Sequence, residues 1–202
     1  MKIPPMSIFP RDAAIHLLKK TADLLGGDCF LCANRCPRRL VCVACERSLP
    51  SLGPACGRCA APLPTAGTCG ACLVRPPAFD AAAARYRYAF PVDRLLQRFK
   101  FAGDLAAGRW LARRLAGELG AHAAPDLVVA APLAPARLRA RGFNQALEVA
   151  KVVAAALHAP LDPGALAKVR DTRPQPGLGA RERRANLRSA FRCRLVLAGE
   201  HV

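Results

Sequence analysis

Eight of the ten cysteines fall into two copies of one pattern, Cys29-x2-Cys32-x9-Cys42-x2-Cys45 and Cys56-x2-Cys59-x9-Cys69-x2-Cys72. The copies start 27 residues apart, and every inner spacing repeats. A C-x-x-C turn brings two thiolates to one side of a tight knuckle. Two knuckles supply the four soft ligands that tetrahedral zinc prefers. The eight residues are therefore read as metal ligands holding two zinc ions in a double zinc ribbon, four thiolates to each. Sequential pairing within each copy is adopted, and a cross-braced pairing fits the same spacing. Other thiol chemistries fit less well. A disulfide framework needs an oxidising compartment, and the opening MKIPPMSIFPRD lacks the apolar core of a signal peptide. A redox C-x-x-C normally occurs once, at a helix start. Iron–sulfur ligation needs only thiolates, yet the repeat favours two separate tetrahedral sites. Cys36 and Cys193 stand outside the repeat and read as free thiols.

A second chemistry lies in two arginine-rich segments. The first, PLAPARLRARGFNQ (132–145), reads as a loop after an apolar strand and brings Arg137, Arg139 and Arg141 to that strand's carboxyl end. Gly142 permits a sharp turn, and Asn144 can cap the helix that follows. Clustered arginines and a helix N-terminus suit phosphate. The second, RDTRPQPGLGARERRANLRSAF (170–191), carries many donors and little apolar anchorage. Its candidate phosphate or nucleic-acid ligands are Arg170, Thr172, Gln175, Arg181, Arg183 and Arg184. A long loop of this kind is usually functional. The four histidines, His16, His122, His158 and His201, sit in no recognisable catalytic constellation.

These segments need a scaffold. The chain has 202 residues, enough for one small and one medium domain. Residues 11–25 have helical apolar spacing and read as an amphipathic helix within an N-terminal segment, 1–28. The ribbon, 29–75, is too small to fold without metal. A linker is expected over 73–80. From residue 81 onward strand and helix signals alternate. Strands are expected over 82–90, 126–131, 165–169 and 191–197. Helices are expected over 91–101, 105–119, 144–157 and 181–187. Asp93 and Asp104 read as helix-boundary residues. Alternation of this sort implies an α/β domain with a mostly parallel sheet over 81–202. The net charge of +17, from 31 Lys and Arg against 14 Asp and Glu, points to a polyanionic or phosphate-bearing partner. No run has the length of a membrane-spanning helix, so no membrane insertion and a cytoplasmic location are expected.

The C-x-x-C pairs, LLQRFKFAGD (95–104), VVAAPLAPARLRARGFNQA (128–146) and the 170–191 segment resemble the ComF family of competence-associated, phosphoribosyltransferase-like proteins. The resemblance covers nearly the whole chain. It implies a type I phosphoribosyltransferase-like fold behind a zinc ribbon, and a role in handling single-stranded DNA during natural transformation. The 170–191 loop looks like the flexible loop that closes over phosphoribosyl pyrophosphate (PRPP) in related enzymes. Such enzymes hold PRPP with a V-D-D-x-x-T-T-G motif, which is not in this chain. The sequence stops at LVLAGEHV, about where that strand would begin, so a C-terminally incomplete domain is expected. PRPP and Mg2+ are expected only of a longer form, and no catalytic residue is assigned.

Three functions are consistent with these residues. The first is DNA handling through phosphate contacts, with base stacking by Tyr86, Tyr88 or Phe143 weighed and core packing preferred for each. The second is a PRPP-dependent phosphoribosyltransferase. The third is a zinc-ribbon adaptor that docks on a partner such as a DNA-uptake helicase.

Overall fold

A computed structural model describes residues 27–120, 124–173, 177–196, 198–199 and 201–202. The expected helix over 11–25, His16, His122 and Gln175 lie outside these residues. The chain divides into two compact units, Met1–Leu49 and Pro50–Val202.

In the first unit the described part is one knuckle pair and the short helix α1 (Val43–Arg47). In the second unit a knuckle pair carries α2 (Gly70–Val74), placed 27 residues later, in step with the cysteine repeat. Leu73 and Val74 therefore close a helix, and the irregular connection begins only after them.

The next two helices are set by their caps and apolar faces. Helix α3 (Val92–Phe101) has Asp93 in its first turn and Arg98 and Lys100 in its last, matching the helix dipole at both ends. Val92, Leu95 and Phe99, spaced for one face, are buried. Helix α4 (Leu105–Leu119) starts at Asp104, whose Oδ1 accepts from the Ala107 N–H at 3.1 Å. The other carboxylate oxygen of Asp104 accepts from Arg98 at 3.1 Å, which fixes the bend between the helices. Helix α4 turns a small-residue face inward: Ala107, Gly108, Ala112 and Ala116.

Strand β1 (Val128–Val129) follows, then α5 (Pro135–Arg141), α6 (Gln145–Leu157), β2 (Leu161–Asp162), β3 (Leu166–Lys168), α7 (Ala180–Leu187) and β4 (Phe191–Cys193). Helix α6 packs on α4 and buries Ala150, Val153 and Ala154. Small residues on both faces let the two backbones approach closely.

Three further expectations are corrected. The first is the mostly parallel sheet. Among the described residues there are two separate two-stranded ladders, β1–β2 parallel and β3–β4 antiparallel. Proline limits the first ladder, since β2 is confined between Pro160 and Pro163, neither of which has an N–H to give. The second is the strand over 82–90. It reduces to one bridge, Ser51 with Tyr86, because only residues 50–52 lie alongside it. Tyr86 instead stacks its ring on Trp110, 6.5 Å between centroids. The third is the loop over 132–145, which contains α5. Pro135 starts that helix in the first turn, and Gly142, at φ 79°, ends it in the left-handed conformation glycine tolerates.

Gly108 sits directly beneath Phe99. A Cβ there would lie 2.4 Å from the ring, and Phe99, only 2% exposed, has nowhere to swing. Gly108→Ala is expected to cost about 1–3 kcal/mol in urea unfolding. Gly117→Ala, on the open side of the same helix, is expected to stabilise by up to about 1 kcal/mol. Equal effects of the two would show that the α3–α4 contact is not the tight one.

Candidate functional site

Each cysteine copy closes into its own cage. The sulfurs of Cys29, Cys32, Cys42 and Cys45 lie within 4.8 Å of one another, and so do those of Cys56, Cys59, Cys69 and Cys72. The local backbone repeats along with them. Ala33 and Ala60, each just past its second cysteine, take positive φ of 57° and 56°. Their N–H groups donate to the Cys29 and Cys56 carbonyls, both at 2.8 Å. The Cys42 and Cys69 N–H groups donate to the Cys29 and Cys56 sulfurs, both at 3.3 Å.

These cages fit zinc. A tetrahedron with Zn–S bonds of about 2.3 Å has S···S edges near 3.8 Å. Cys32 and Cys42 are 3.8 Å apart, and Cys59 and Cys69 are 3.6 Å apart. The electrostatics also suit a cation. Burial would raise the Cys29 thiol, yet N–H groups of Cys42, Cys32 and Leu31 bring it down to about 6 from an ordinary 9.0. N–H groups of Cys69 and Cys59 bring Cys56 down to about 6 as well. The fourth members go the other way. Hydrogen bonding to Cys32 and Cys42, then burial, pushes Cys45 up to about 12. Burial, then bonding to Cys59 and Cys69, does the same to Cys72. Each cage without metal thus holds both an ionised sulfur and a protonated one. Cys36 is buried outside the four-sulfur group, its thiol raised by burial and then by the neighbouring Cys29 and Cys42 charges. Cys193 is exposed on β4.

The arginine-rich segments are held by different means. Asn144 caps α6, its Oδ1 accepting from Ala146 at 3.0 Å, while its Nδ2 donates to the Ala131 carbonyl at 3.1 Å. The end of β1 is thereby tied to the start of α6. From α5, half-buried Arg137 reaches the Thr172 carbonyl at 3.4 Å. Lys168, at the end of β3, donates to the Thr172 hydroxyl at 2.8 Å. Burial, then the Arg137 charge, lowers the Lys168 pKa. Arg137, Lys168 and Thr172 thus form one cationic cluster. Lys168 was not among the residues singled out from sequence, although a lysine at a strand end just before a donor-rich loop is a signal that could have been used.

The other candidates are spread more widely. Arg170 donates to the carbonyls of Asn186 and Arg188, at 2.9 and 2.8 Å, and so staples the base of its loop. Arg141 donates to Gln145 at 2.6 Å and covers the Phe101 ring. Arg139 is exposed on α5, and Arg181, Arg183 and Arg184 are exposed on α7. Glu182 fixes the start of α7 by accepting the Gly179 N–H at 2.7 Å. Of the aromatics weighed for stacking, Tyr86 packs on Trp110 and Phe143 on Phe99, whereas Tyr88 is 69% exposed. His158 ends α6 in the left-handed conformation, and the His201 N–H donates to Asp126.

Comparison with known proteins adds a second line of observation. The DNA utilization protein YhgH of Escherichia coli K12 is 33% identical over 137 residues, 64% of this chain and 60% of that protein. YhgH of Salmonella typhimurium is 33% identical over 182 residues, 87% of this chain and 75% of the relative. Competence protein F of Haemophilus influenzae is 33% identical over 157 residues, 75% and 69% of the two chains. The chain spans about 60% of the length of the first of these relatives. No family model matches the chain. No solved structure matches it. No helix among the described residues is long and apolar enough to cross a membrane.

The cages set a proton balance. Without metal, the depressed Cys29 and Cys56 give stability that is full above about 9 and lost as pH falls through about 6. The raised Cys45 and Cys72 act oppositely, their contribution full below about 9 and lost as pH rises toward about 12. Zinc uptake near neutral pH must therefore expel at least the Cys45 and Cys72 protons. Calorimetric zinc titration in two buffers of different ionisation enthalpy is expected to give different heats, and equal heats would contradict the protonation scheme. Metal analysis of Cys56→Ser is expected to show one zinc per chain in place of two.

Proposed function

The chain belongs to the family of competence protein F and the DNA utilization protein YhgH, and from that premise we propose that it handles single-stranded DNA by gripping its phosphates. One observation carries the reading. The second unit carries exposed arginines on α7 and the Arg137–Lys168–Thr172 cluster, in a chain whose net charge is +17. Zinc orders the knuckles and takes no part in any reaction. A partner protein, a DNA-uptake helicase among them, would dock at the apolar end of α2, where Leu73 and Val74 are 71% and 88% exposed.

Binding through phosphates releases counterions, so affinity falls steeply with salt and depends little on base sequence. Replacing Arg181, Arg183 and Arg184 together by Ala should lower the salt slope of single-strand binding by about 2, at about 0.7 per lost phosphate contact. The double variant Arg141→Ala, Arg183→Ala should flatten it as well. Slopes equal to that of the native chain would sink the assignment of these arginines to phosphate.

The cluster of Arg137, Lys168 and Thr172 favours a second reading, the binding of PRPP with Mg2+. Two half-buried cations sharing one hydroxyl-bearing residue suit a compact pyrophosphate as well as a strand of DNA. Calorimetry with PRPP and Mg2+ separates the two readings, and the DNA reading alone predicts no binding. Saturable binding that is lost in Lys168→Ala would bring the transferase reading forward.

A further inference from the structure

Phe101 closes α3 with its side chain 76% exposed. The guanidinium of Arg141 lies over its ring, 5.5 Å from the centroid. Single exposed aromatic residues are ordinary on protein surfaces. This one differs because both partners are held in place. Two residues earlier, Phe99 is buried and meets Phe143 at 5.6 Å, which ties the end of α3 to the turn between α5 and α6. Arg141, the last residue of α5, is fixed by its 2.6 Å bond to Gln145, the first of α6, across the left-handed Gly142 and the Asn144 cap. Gly103, at φ 67°, lies against Phe143 and turns the chain away just after the ring.

With Arg141 over one face of a ring whose residue is 76% exposed, the ring and its anchored cation together have the chemistry to bind a flat aromatic group that carries negative charge. An unpaired base with its flanking phosphate is such a group. We infer that Phe101 and Arg141 form a stacking platform for one unpaired base, with Arg141 pairing to the adjoining phosphate. The inference rests on the DNA reading above and adds to it a source of strand preference. Bases within a duplex stack on one another and leave no face for Phe101, so the platform favours single strands where phosphate contacts alone would not. It also gives base stacking to a residue other than the three aromatics weighed from sequence, two of which are occupied inside the fold.

The test uses the zinc-loaded full chain and variants Phe101→Ala, Phe101→Leu and Phe101→Trp. Fluorescence anisotropy is read with a short oligothymidylate, an abasic strand of the same length and a duplex. Ala and Leu are expected to weaken oligothymidylate binding about five- to a hundredfold. They should leave the abasic strand, the duplex and the salt slope unchanged. Trp should restore affinity, and its added fluorescence should be quenched by the bound strand. Unchanged oligothymidylate binding by Ala and Leu would overturn the platform and leave the phosphate reading standing. Equal losses on the abasic strand would also overturn it, because the ring would then act only by positioning Arg141. Failure of the native chain to bind any of the three would overturn the DNA reading and the platform together. If Phe101→Ala does not fold, as judged by circular dichroism, the Leu and Trp variants carry the same comparison.

Discussion

Four sulfurs held within 4.8 Å of one another, one of them ionised, form an arrangement that a protein seldom keeps without a cation. Everything local to each knuckle pair serves that arrangement. Ala33 and Ala60 accept a backbone conformation that costs a non-glycine residue about 1 kcal/mol or more, and they do so at equivalent places. The N–H groups of Cys42 and Cys69 are aimed at sulfur rather than at a carbonyl. Cysteines themselves are among the buried residues around each cage, so little other apolar surface supports these segments. A metal held there would therefore add its binding free energy to the folding of each cage.

The second constraint is charge. With 31 cations and 14 acids, at least 17 positive charges cannot be paired one to one. Ion pairs tie Arg85 to Glu118, Arg98 to Asp104 and Lys151 to Glu148, and each settles local structure. Arg170 is absorbed by carbonyls, whereas Arg141 is positioned but not neutralised by the Gln145 amide and the Phe101 ring. On the proposed reading, the residues left for an anion are Arg141, those that α7 carries outward and those gathered at Thr172. Phosphates bound there would relieve the self-repulsion among them.

How much of this was legible in the sequence depended on the range of the interaction. The cysteine repeat is local, and its 27-residue step reappears in α1, α2 and the two positive-φ alanines. Helices α3, α4 and α6 follow from apolar periodicity and from caps at Asp104 and Asn144 that act within a few residues. The misreadings came from pairing between distant segments. Alternation over 82–90 is real, but a strand needs a partner, and residues 50–52 supply only one bridge. Helix α5 was hidden by its arginines, although Pro135 and Gly142 mark its two ends in the usual manner. Strand β2, two residues between prolines, is too short to leave a period. Lys168 carries a local signal, a lysine at a strand end before a donor-rich loop, but its partnership with Arg137, far away along the chain and met at Thr172, is not legible in the sequence.

The central claim is that single-stranded DNA lies on the second unit along α5, the Thr172 cluster and α7. Hydrogen–deuterium exchange of the zinc-loaded chain, with and without a saturating oligonucleotide, tests it most directly. The account predicts slowed exchange in 135–145 and 168–188, with the knuckles of 29–45 and 56–72 unaffected. Protection confined to the knuckles, with the arginine-rich segments exchanging as in the free chain, would contradict it.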